Sequence, residues 1–125
     1  NNVNKFEQAL VDKGIKLFKF WLSITPQTQK KRFELRKNSP LKYWKFSPND
    51  EKSIDKWDDY TKYKEKVLKQ TRDAVSWTVV DTNDKHAGVL NLLRHLLTNV
   101  EYPDKDLSHI GDVYPEVVTT IKETR

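Results

Sequence analysis

Two short runs of strand-forming residues restrict the fold of this chain most strongly. Residues 15–24 read IKLFKFWLSI and residues 76–81 read SWTVVD. Neither run keeps one alternating face polar, so each predicts a strand covered on both sides, as in a parallel sheet between two layers of helices. Two such strands do not make a stable sheet by themselves. We therefore expect an α/β fold, the second half of a doubly wound parallel sheet whose first strands lie outside this sequence.

Helical patterns surround both strands, and the chain is expected to be helix-rich. Thr25-Pro26 and Ser47-Pro48 each place a hydroxyl before a proline, which is typical of a helix start. The spacing of apolar residues predicts helices over residues 3–13, 48–69 and 84–100. A further helix, over residues 26–37, is predicted from its start at Thr25-Pro26 and its end before Pro40, although it has few apolar residues. A weaker pattern, Val113, Val117 and Ile121, predicts one more helix near the C-terminal end.

Two of these helices carry apolar stripes that we expect to be packed. The stripe of helix 48–69 consists of Ile54, Trp57, Tyr60, Tyr63, Val67 and Leu68. The stripe of helix 84–100 consists of Leu90, Leu93, Leu96, Leu97 and Val100. A one-sided distribution of this kind is typical of a helix that faces a core.

The segment 30–45 is strongly basic and contains no Asp. Its cations are Lys30, Lys31, Arg32, Arg36, Lys37, Lys42 and Lys45. Arg32 and Arg36 lie four residues apart, so a helix presents both guanidinium groups on one face. Two planar guanidinium groups on one face suit several phosphates in a row. The net charge of +5 also favours a polyanionic partner, although it is equally compatible with a basic surface that binds nothing.

Several classes of site are excluded by composition. The absence of cysteine excludes disulfides, thiol catalysis and cysteine-bound metals, and it fits a cytoplasmic protein. The three histidines lack zinc-site spacing, so no metal site is expected within the sequence. The apolar run 17–24 is too short to span a bilayer. None of the three glycines lies in a G-x-x-x-x-G-K frame, so no phosphate-binding loop is expected in this sequence.

Five blocks of residues, taken in order, resemble the polyphosphate kinase type 2 family. They are Lys19-x-Trp21-x-Ser23-Ile24, Gln29-x-x-Arg32-Phe33-x-x-Arg36, Pro40-Leu41-Lys42-x-Trp44-Lys45-x-Ser47-Pro48-x-Asp50, Trp57-x-x-Tyr60 and Trp77-x-Val79-Val80-Asp81-x-x-Asp84-Lys85. The resemblance spans roughly residues 6–100 and keeps the family spacing. The sequence starts with Asn1 and contains no Met, which we interpret as processing or as a piece of a longer protein.

The resemblance implies a fold similar to P-loop kinases, with a helical lid that closes over phosphates. It implies phosphoryl transfer between inorganic polyphosphate and a nucleoside mono- or diphosphate, with Mg²⁺ bound by residues outside this sequence. Residues 1–100 are then the C-terminal part of such a domain, the lid covers about residues 25–70, and residues 101–125 are an extension of unknown role. We further expect a homo-oligomer, a cytoplasmic location, and neither a membrane nor a nucleic-acid partner. Without the phosphate-binding loop, this chain alone is expected to be inactive.

The same resemblance assigns roles to residues. Arg32 and Arg36 are expected to act on the transferring phosphates, as the catalytic pair. Lys45 is expected to bind along the path of polyphosphate, and Lys42 is expected to bind substrate. Lys85 follows the last strand at its carboxyl end, where doubly wound sheets bind ligands, so it is expected to contact the nucleotide. Trp44 either stacks on a nucleobase or wedges the loop onto the core, and packing is the more usual fate of a tryptophan. Asp84 is as readily an acid at a helix N-terminus as a ligand-binding residue.

Two other functions stay open. A non-enzymatic module could bind polyanions such as single-stranded nucleic acid, but a stacking surface needs aromatic rings exposed beside cations. Here the Trp and Tyr residues fall on apolar helical stripes, which argues against that function. A different nucleotide kinase with the same fold is the third possibility. The sequence leaves open whether the acceptor is a mono- or a diphosphate and which purine it carries.

Overall fold

The computed structural model describes residues 2–45 and 47–121, without the side chains of residues 50 and 51. The chain divides into two compact units. The sheet unit is formed by the two ends of the chain, up to Ser23 and from Gln70 onwards. The helical unit is the intervening segment, Ile24–Lys69.

The sheet unit is built on three strands. Strands β1 (Lys19–Ser23) and β2 (Trp77–Asp81) are parallel, with Lys19 opposite Trp77 and Ser23 opposite Asp81. Strand β3 (Val118–Thr120) is antiparallel to β2, which gives the order β1-β2-β3. Helix α1 (Asn2–Asp12) precedes the sheet, and α5 (Lys85–Thr98) and α6 (Leu107–Ile110) lie between β2 and β3 in the chain. Both predicted strands and the α/β class are confirmed.

The helical unit contains the segment between the two parallel strands. Helix α2 (Pro26–Asn38) is followed by a 3₁₀ turn (Tyr43–Lys45), then by α3 (Pro48–Asp55) and α4 (Trp57–Gln70), whose last residue belongs to the sheet unit. Helix α2 contacts both the 3₁₀ turn and α3. None of the helices in the described part of the chain combines the length and hydropathy that a bilayer crossing requires.

Two predictions of secondary structure are wrong. Residues 48–69 form two helices and not one. The helical conformation is interrupted by a turn at Lys56, and α4 begins after it with Asp58 and Asp59 in its first turn. Acidic side chains stabilise a helix N-terminus, so these residues favour a new start. The helix predicted from Val113, Val117 and Ile121 is instead a turn followed by β3.

The second error changes the character of the sheet. The residues from Val117 to Thr120 are all β-branched, which favours a strand wherever a pairing edge is open. Strand β2 offers that edge, and Val79 pairs with Thr119. The sheet is therefore mixed rather than purely parallel, and the extension 101–125 contributes one of its strands. Antiparallel edge strands of this kind are common on doubly wound sheets.

Most apolar side chains of the helices remain exposed. Among the described residues, Leu68 and Val80 are the only hydrophobic side chains classed as buried. The stripe of α5 is largely exposed, and so are Tyr60, Tyr63 and Val67 on α4. The predicted stripes are thus only partly packed within the described residues: Leu68 is buried, the other residues of the two stripes are exposed or half-buried, and the half-buried ones are Ile54, Trp57, Leu96 and Val100.

Candidate anion-binding site

Helix α2 is a polar helix with well-defined ends. The Thr25 hydroxyl accepts a hydrogen bond from the Thr28 amide at 3.3 Å, and Pro26 begins the helix. Ser39 has an extended backbone conformation before Pro40, as the steric demands of a following proline favour. No residue of α2 is classed as buried, and Arg36 and Lys37 lie in its last turn, where cations interact favourably with the helix dipole. The helix therefore presents cations rather than a core face.

Arg32 and Arg36 lie four residues apart on one side of α2, and Arg36 contacts the aromatic ring of Phe33. All three side chains are half-buried. The guanidinium carbon of Arg36 lies 5.8 Å from the centroid of the Phe33 ring, within the range of a cation–π interaction. A guanidinium group that rests on an aromatic ring keeps a restricted orientation. The predicted pair is therefore present on one helical face.

The 3₁₀ turn after α2 carries an exposed aromatic ring beside a cation. Trp44 is 76% exposed, and its indole Nε1 donates to the Leu41 carbonyl at 3.0 Å. The Lys45 Nζ lies 5.2 Å from the centroid of the Trp44 ring, and Lys42 is exposed in the same loop. The interpretation of Trp44 as a wedge against the core is therefore wrong. The hydrogen bond to Leu41 fixes the ring locally and leaves its area open to solvent.

Other aromatic side chains of the helical unit are exposed as well. Tyr43, Tyr60 and Tyr63 are 60%, 59% and 68% exposed, while Trp57 is half-buried. The expectation that these rings pack along apolar stripes, which spoke against a stacking surface, is therefore wrong for the tyrosines. Exposed rings beside lysines are suited to stacking on bases.

Lys85 lies in the sheet unit, at the end of the sheet where ligands bind in doubly wound folds. It is the exposed first residue of α5, directly after the helix cap Asp84, whose Oδ1 accepts from the Ala87 amide at 3.1 Å. Asp81 ends β2, and its Oδ1 accepts from the Asn83 amide at 2.8 Å. Asp84 is thus a capping residue. Of the two roles that the sequence left open for it, the structure shows the acid at a helix N-terminus.

Close packing sets where α5 begins. A Cβ atom placed on Gly88 would lie 2.9 Å from the carbonyl oxygen of Asp81, which is closer than real contacts allow. The helix can therefore approach the end of β2 this closely only with glycine at position 88. Lys85, three residues earlier, takes its position from this contact.

No metal site can be assigned in the described part of the chain, where no three His, Asp or Glu side chains are grouped as ligands. His95 is half-buried on α5 and meets the ring of Phe20 edge-on, with centroids 5.8 Å apart. Desolvation by burial lowers the pKa of His95 below its ordinary value of 6.5. The side chain is therefore biased towards the neutral form and belongs to the packing of the sheet unit.

The structure also contains a buried ion pair that the sequence did not predict as a site. Lys19 on β1 and Glu7 on α1 are joined at 2.9 Å, with both residues buried. The one signal in the sequence was that Lys19 interrupts the apolar-rich run 17–24. Among the predicted site residues, Arg32, Arg36, Lys42, Trp44 and Lys45 lie in the helical unit, and Lys85 lies in the sheet unit.

Comparison with known proteins identifies relatives over most of the chain. Residues 1–108 match the profile of the family described as Polyphosphate kinase 2 (PPK2), so the match continues beyond residue 100, where the recognised motifs end. NDP-polyphosphate phosphotransferase 2 of Ruegeria pomeroyi is 45% identical over 113 residues, which are 90% of this chain and 33% of that protein. GDP-polyphosphate phosphotransferase of Pseudomonas aeruginosa is 47% identical over 103 residues, 82% of this chain and 29% of that protein.

A solved structure has a similar fold. The crystal structure of Polyphosphate Kinase 2 from Arthrobacter aurescens TC1 superposes with a TM-score of 0.67 at 30% sequence identity. The superposition covers 86% of this chain and 42% of that chain. The present chain therefore spans about a third of the length of the two phosphotransferases, by the 33% and 29% shares of their sequences that it covers.

Proposed function

Since this chain belongs to the polyphosphate kinase 2 family, we propose that it supplies the lid of a phosphotransferase and the strand–helix unit that follows the lid. The reaction moves phosphate between inorganic polyphosphate and a nucleoside mono- or diphosphate. The helical unit Ile24–Lys69 is the lid in this proposal. The observation that carries the proposal is the arginine pair on one face of α2, a helix that has no buried residue, with Arg36 against the ring of Phe33.

The chemistry requires cations more than bond-making side chains. Phosphoryl transfer depends on positioning and on neutralising the charge that spreads over the phosphate oxygens in the transition state. Arg32 and Arg36 have the planar, permanently charged groups that bind phosphate oxygens in pairs. Their role is to hold the transferring phosphate and to stabilise this charge.

The loop after α2 and the start of α5 bind the rest of the substrates. Lys42 and Lys45 are exposed cations of one loop and interact with neighbouring phosphates of the polyphosphate chain. The exposed ring of Trp44 stacks on the nucleobase of the acceptor, with Lys45 at its side. Lys85 contacts the phosphates of the nucleotide at the carboxyl end of β2.

Magnesium is implied by the family, and when bound it neutralises charge on the phosphate oxygens. The described residues contain no grouped set of His, Asp or Glu side chains that would hold it. We therefore place its ligands outside the described residues, and the roles proposed for the arginines, the lysines and Trp44 do not depend on the metal.

The direct test is an activity assay on the full-length protein that carries this sequence. The protein is incubated with long-chain polyphosphate and each of AMP, ADP, GMP and GDP, and the nucleotide products are separated. We expect phosphorylation of at least one acceptor and its loss, by about a hundredfold, in Arg36→Ala. Unchanged nucleotides in every reaction would overturn the proposal. The 125-residue chain alone is expected to transfer no phosphate.

A second candidate function is favoured by the exposed aromatic residues. A non-enzymatic surface for single-stranded nucleic acid needs rings beside cations, and Trp44 with Lys45 provides that combination. Competition at equal charge separates the two functions, with long-chain polyphosphate and a single-stranded oligonucleotide as the competitors. Stronger binding of polyphosphate supports the phosphotransferase, and stronger binding of the oligonucleotide supports the nucleic-acid module.

A further inference from the structure

Lys19 is buried in the sheet unit with an acceptor for every N–H group of its ammonium. It is 8% exposed and bonds to Glu7 Oε2 at 2.9 Å, to the Val75 carbonyl at 3.2 Å and to the Thr71 carbonyl. Its Nζ also lies 4.6 Å from the centroid of the Trp77 ring. Lysine is rarely buried in proteins unless it is paired, because removing its charge from water is costly. This site satisfies the ammonium completely.

The two carbonyls that Lys19 binds belong to one short connection. Residues 70–76 lead the chain from the helical unit back to β2. The same connection receives hydrogen bonds from Asn4 Nδ2 to the Gln70 carbonyl at 2.8 Å and from Trp77 Nε1 to Thr71 Oγ1 at 3.0 Å. These hydrogen bonds therefore hold residues 70–76, through which the chain re-enters the sheet unit, in a defined position.

The end of β1, where the chain leaves the sheet unit, is also held by hydrogen bonds. Strand β1 ends at Ser23, the last residue before the helical unit. The Ser23 carbonyl accepts from the Thr82 amide at 2.8 Å and from the Thr82 hydroxyl at 3.0 Å. Lys19 begins this same strand and binds residues 70–76, so within the sheet unit β1 is bonded to both segments that flank the helical unit in the chain.

Stability is a weak explanation for this arrangement. Replacing a buried ion pair by apolar side chains of similar volume is often neutral or stabilising, whereas removing one partner is strongly destabilising. What an apolar replacement cannot supply is directional bonds to two carbonyls four residues apart. The bonds of Lys19 to Thr71 and Val75 therefore specify the position of the backbone more than they add free energy.

We propose that Lys19 is a positioning residue for the phosphotransferase reaction, held in place by Glu7. By fixing residues 70–76, it determines where the lid joins the sheet unit, and therefore how reproducibly the lid arginines reach the transferring phosphate. This inference rests on the proposed function. Displacement of a catalytic group by about 1 Å, even from a remote substitution, reduces a rate about a hundredfold.

The experiment compares three variants with the full-length parental protein. Lys19→Met leaves Glu7 buried without its partner and should lower Tm. The double variant Glu7→Leu/Lys19→Met removes both charges and should recover most of that loss. If Lys19 positions the lid, kcat of the double variant stays at least about tenfold below the parental value although its Tm is restored. In the double variant, hydrogen exchange of the amides in residues 70–76 should be faster than in the parental protein.

The third variant separates positioning from stability. Glu7→Gln keeps an acceptor for Lys19 and preserves both bonds to carbonyls, while it weakens the ion pair. Its Tm should fall, but kcat should remain within about threefold of the parental value if the carbonyl bonds matter. The effect of each substitution on KM for polyphosphate should be smaller than on kcat, because the lid cations themselves are intact.

Lys105 provides a matched control elsewhere in the sheet unit. Its Nζ donates to the carbonyls of Thr98 at 2.8 Å and Val100 at 3.0 Å and to Glu101 Oε1 at 3.3 Å. The side chain of Lys105 is 12% exposed, so its chemistry is close to that of Lys19, but its partners lie outside both connections. Glu101→Leu/Lys105→Met should loosen residues 98–105 and leave kcat unchanged.

Three results would overturn the inference. The first is parental kcat in a stable Glu7→Leu/Lys19→Met variant, and the second is a loss of kcat in Glu7→Gln equal to that of the double variant. The third is an equal loss in the Lys105 control, which would indicate general loosening of the sheet unit. A parental protein that transfers no phosphate would instead overturn the proposed function. Hydrogen exchange at residues 70–76 would then still measure whether Lys19 holds the connection.

Discussion

The helical unit and the sheet unit differ in what their polar side chains do. In α2 and the following loop, cations lie on a surface with little burial, and the rings of Tyr43 and Trp44 face solvent. In the sheet unit, buried polar side chains are bonded to backbone, as in Asn91, whose Nδ2 donates to the Ala87 carbonyl and whose Oδ1 accepts from the Tyr114 amide. The helical unit therefore presents cations and rings at its surface, whereas the sheet unit uses polar side chains to fix its own backbone.

This difference predicts a separation of effects. Substitutions in the helical unit should change rates or affinities with little change in stability. Substitutions in the sheet unit should change stability first, apart from Lys19 and Lys85, for which roles in the reaction are proposed. Elsewhere a single substitution is expected to affect mainly one of the two properties.

The largest expected effect is on turnover. Arg32→Ala and Arg36→Ala in the full-length protein should each reduce kcat by about a hundredfold or more, because each removes a guanidinium group that stabilises transition-state charge. The Tm should change little, because both arginines lie on a helix with no buried residue, where a substitution alters the free energy of unfolding by about 0.5 kcal/mol. Lysine at either position should rescue poorly, because an ammonium cannot make paired bonds to phosphate.

Lys30→Ala and Lys37→Ala are the controls for the arginine pair, because they remove cations from the same helix at other positions. Steady-state kinetics and thermal melts on the same preparations provide both measurements. Near-parental kcat in all four alanine variants would contradict the role of α2.

The next effect should be on stability alone. Val80→Ala removes methyl groups from a side chain with 0% exposure in β2 and should lower the free energy of unfolding by about 2 kcal/mol. Val67→Ala makes the same change on α4, where the side chain is 45% exposed, and should cost less than about 0.5 kcal/mol. Urea unfolding measures both variants, and equal losses would refute the contrast between the units.

A smaller effect is expected for Trp44. Trp44→Ala should raise KM for the acceptor nucleotide about tenfold, since a base–aromatic stack contributes about 1–3 kcal/mol. Trp44→Phe should recover part of the affinity, and Tm should be constant because the ring is exposed. A fall in Tm with unchanged KM would instead favour the packed position that the sequence suggested.

The smallest effect concerns the pH dependence of stability. Burial lowers the pKa of His95 in the folded protein below its ordinary value of 6.5, so the unfolded chain binds more protons near and below this pH. The contribution of His95 therefore destabilises the fold as pH falls through 6.5, and stability rises with pH in that window. His95→Gln should weaken this dependence in chemical unfolding between about pH 7.5 and 5.5. Identical slopes for variant and parent would contradict it.

Local patterns were sufficient to predict most elements of the fold. The apolar runs containing Trp21 and Val79 predicted the two parallel strands, and Thr25-Pro26 predicted the start of α2. The third strand escaped prediction because Val118–Thr120 becomes a strand only when β2 offers a free edge. The periodicity of apolar residues depends on one segment at a time, so it cannot predict which distant segments pair.

The sequence was sufficient to predict which residues form the candidate site, but not how exposed their side chains are. The spacing of Arg32 and Arg36 predicted a shared face, and α2 provides it because it is helical from Pro26 to Asn38. The burial of Trp44 was predicted wrongly from the general tendency of tryptophan to pack. Its indole N–H is satisfied by a hydrogen bond to the Leu41 carbonyl, so the ring does not have to be buried. The bonds of Lys19 were also unpredictable, since its acceptors are backbone carbonyls more than fifty residues away in the sequence.

The parallel pairing of β1 with β2 has a consequence for the folding pathway. Ser23 and Trp77 belong to neighbouring strands, yet the whole helical unit lies between them in the chain. Closing a flexible loop of roughly fifty residues opposes this pairing by an entropy that grows with the logarithm of loop length. If α2, α3 and α4 form early, the loop that remains to be closed is effectively shorter. The helical unit would then accelerate formation of the parallel ladder, and substitutions that weaken its helices would slow folding without altering the sheet itself.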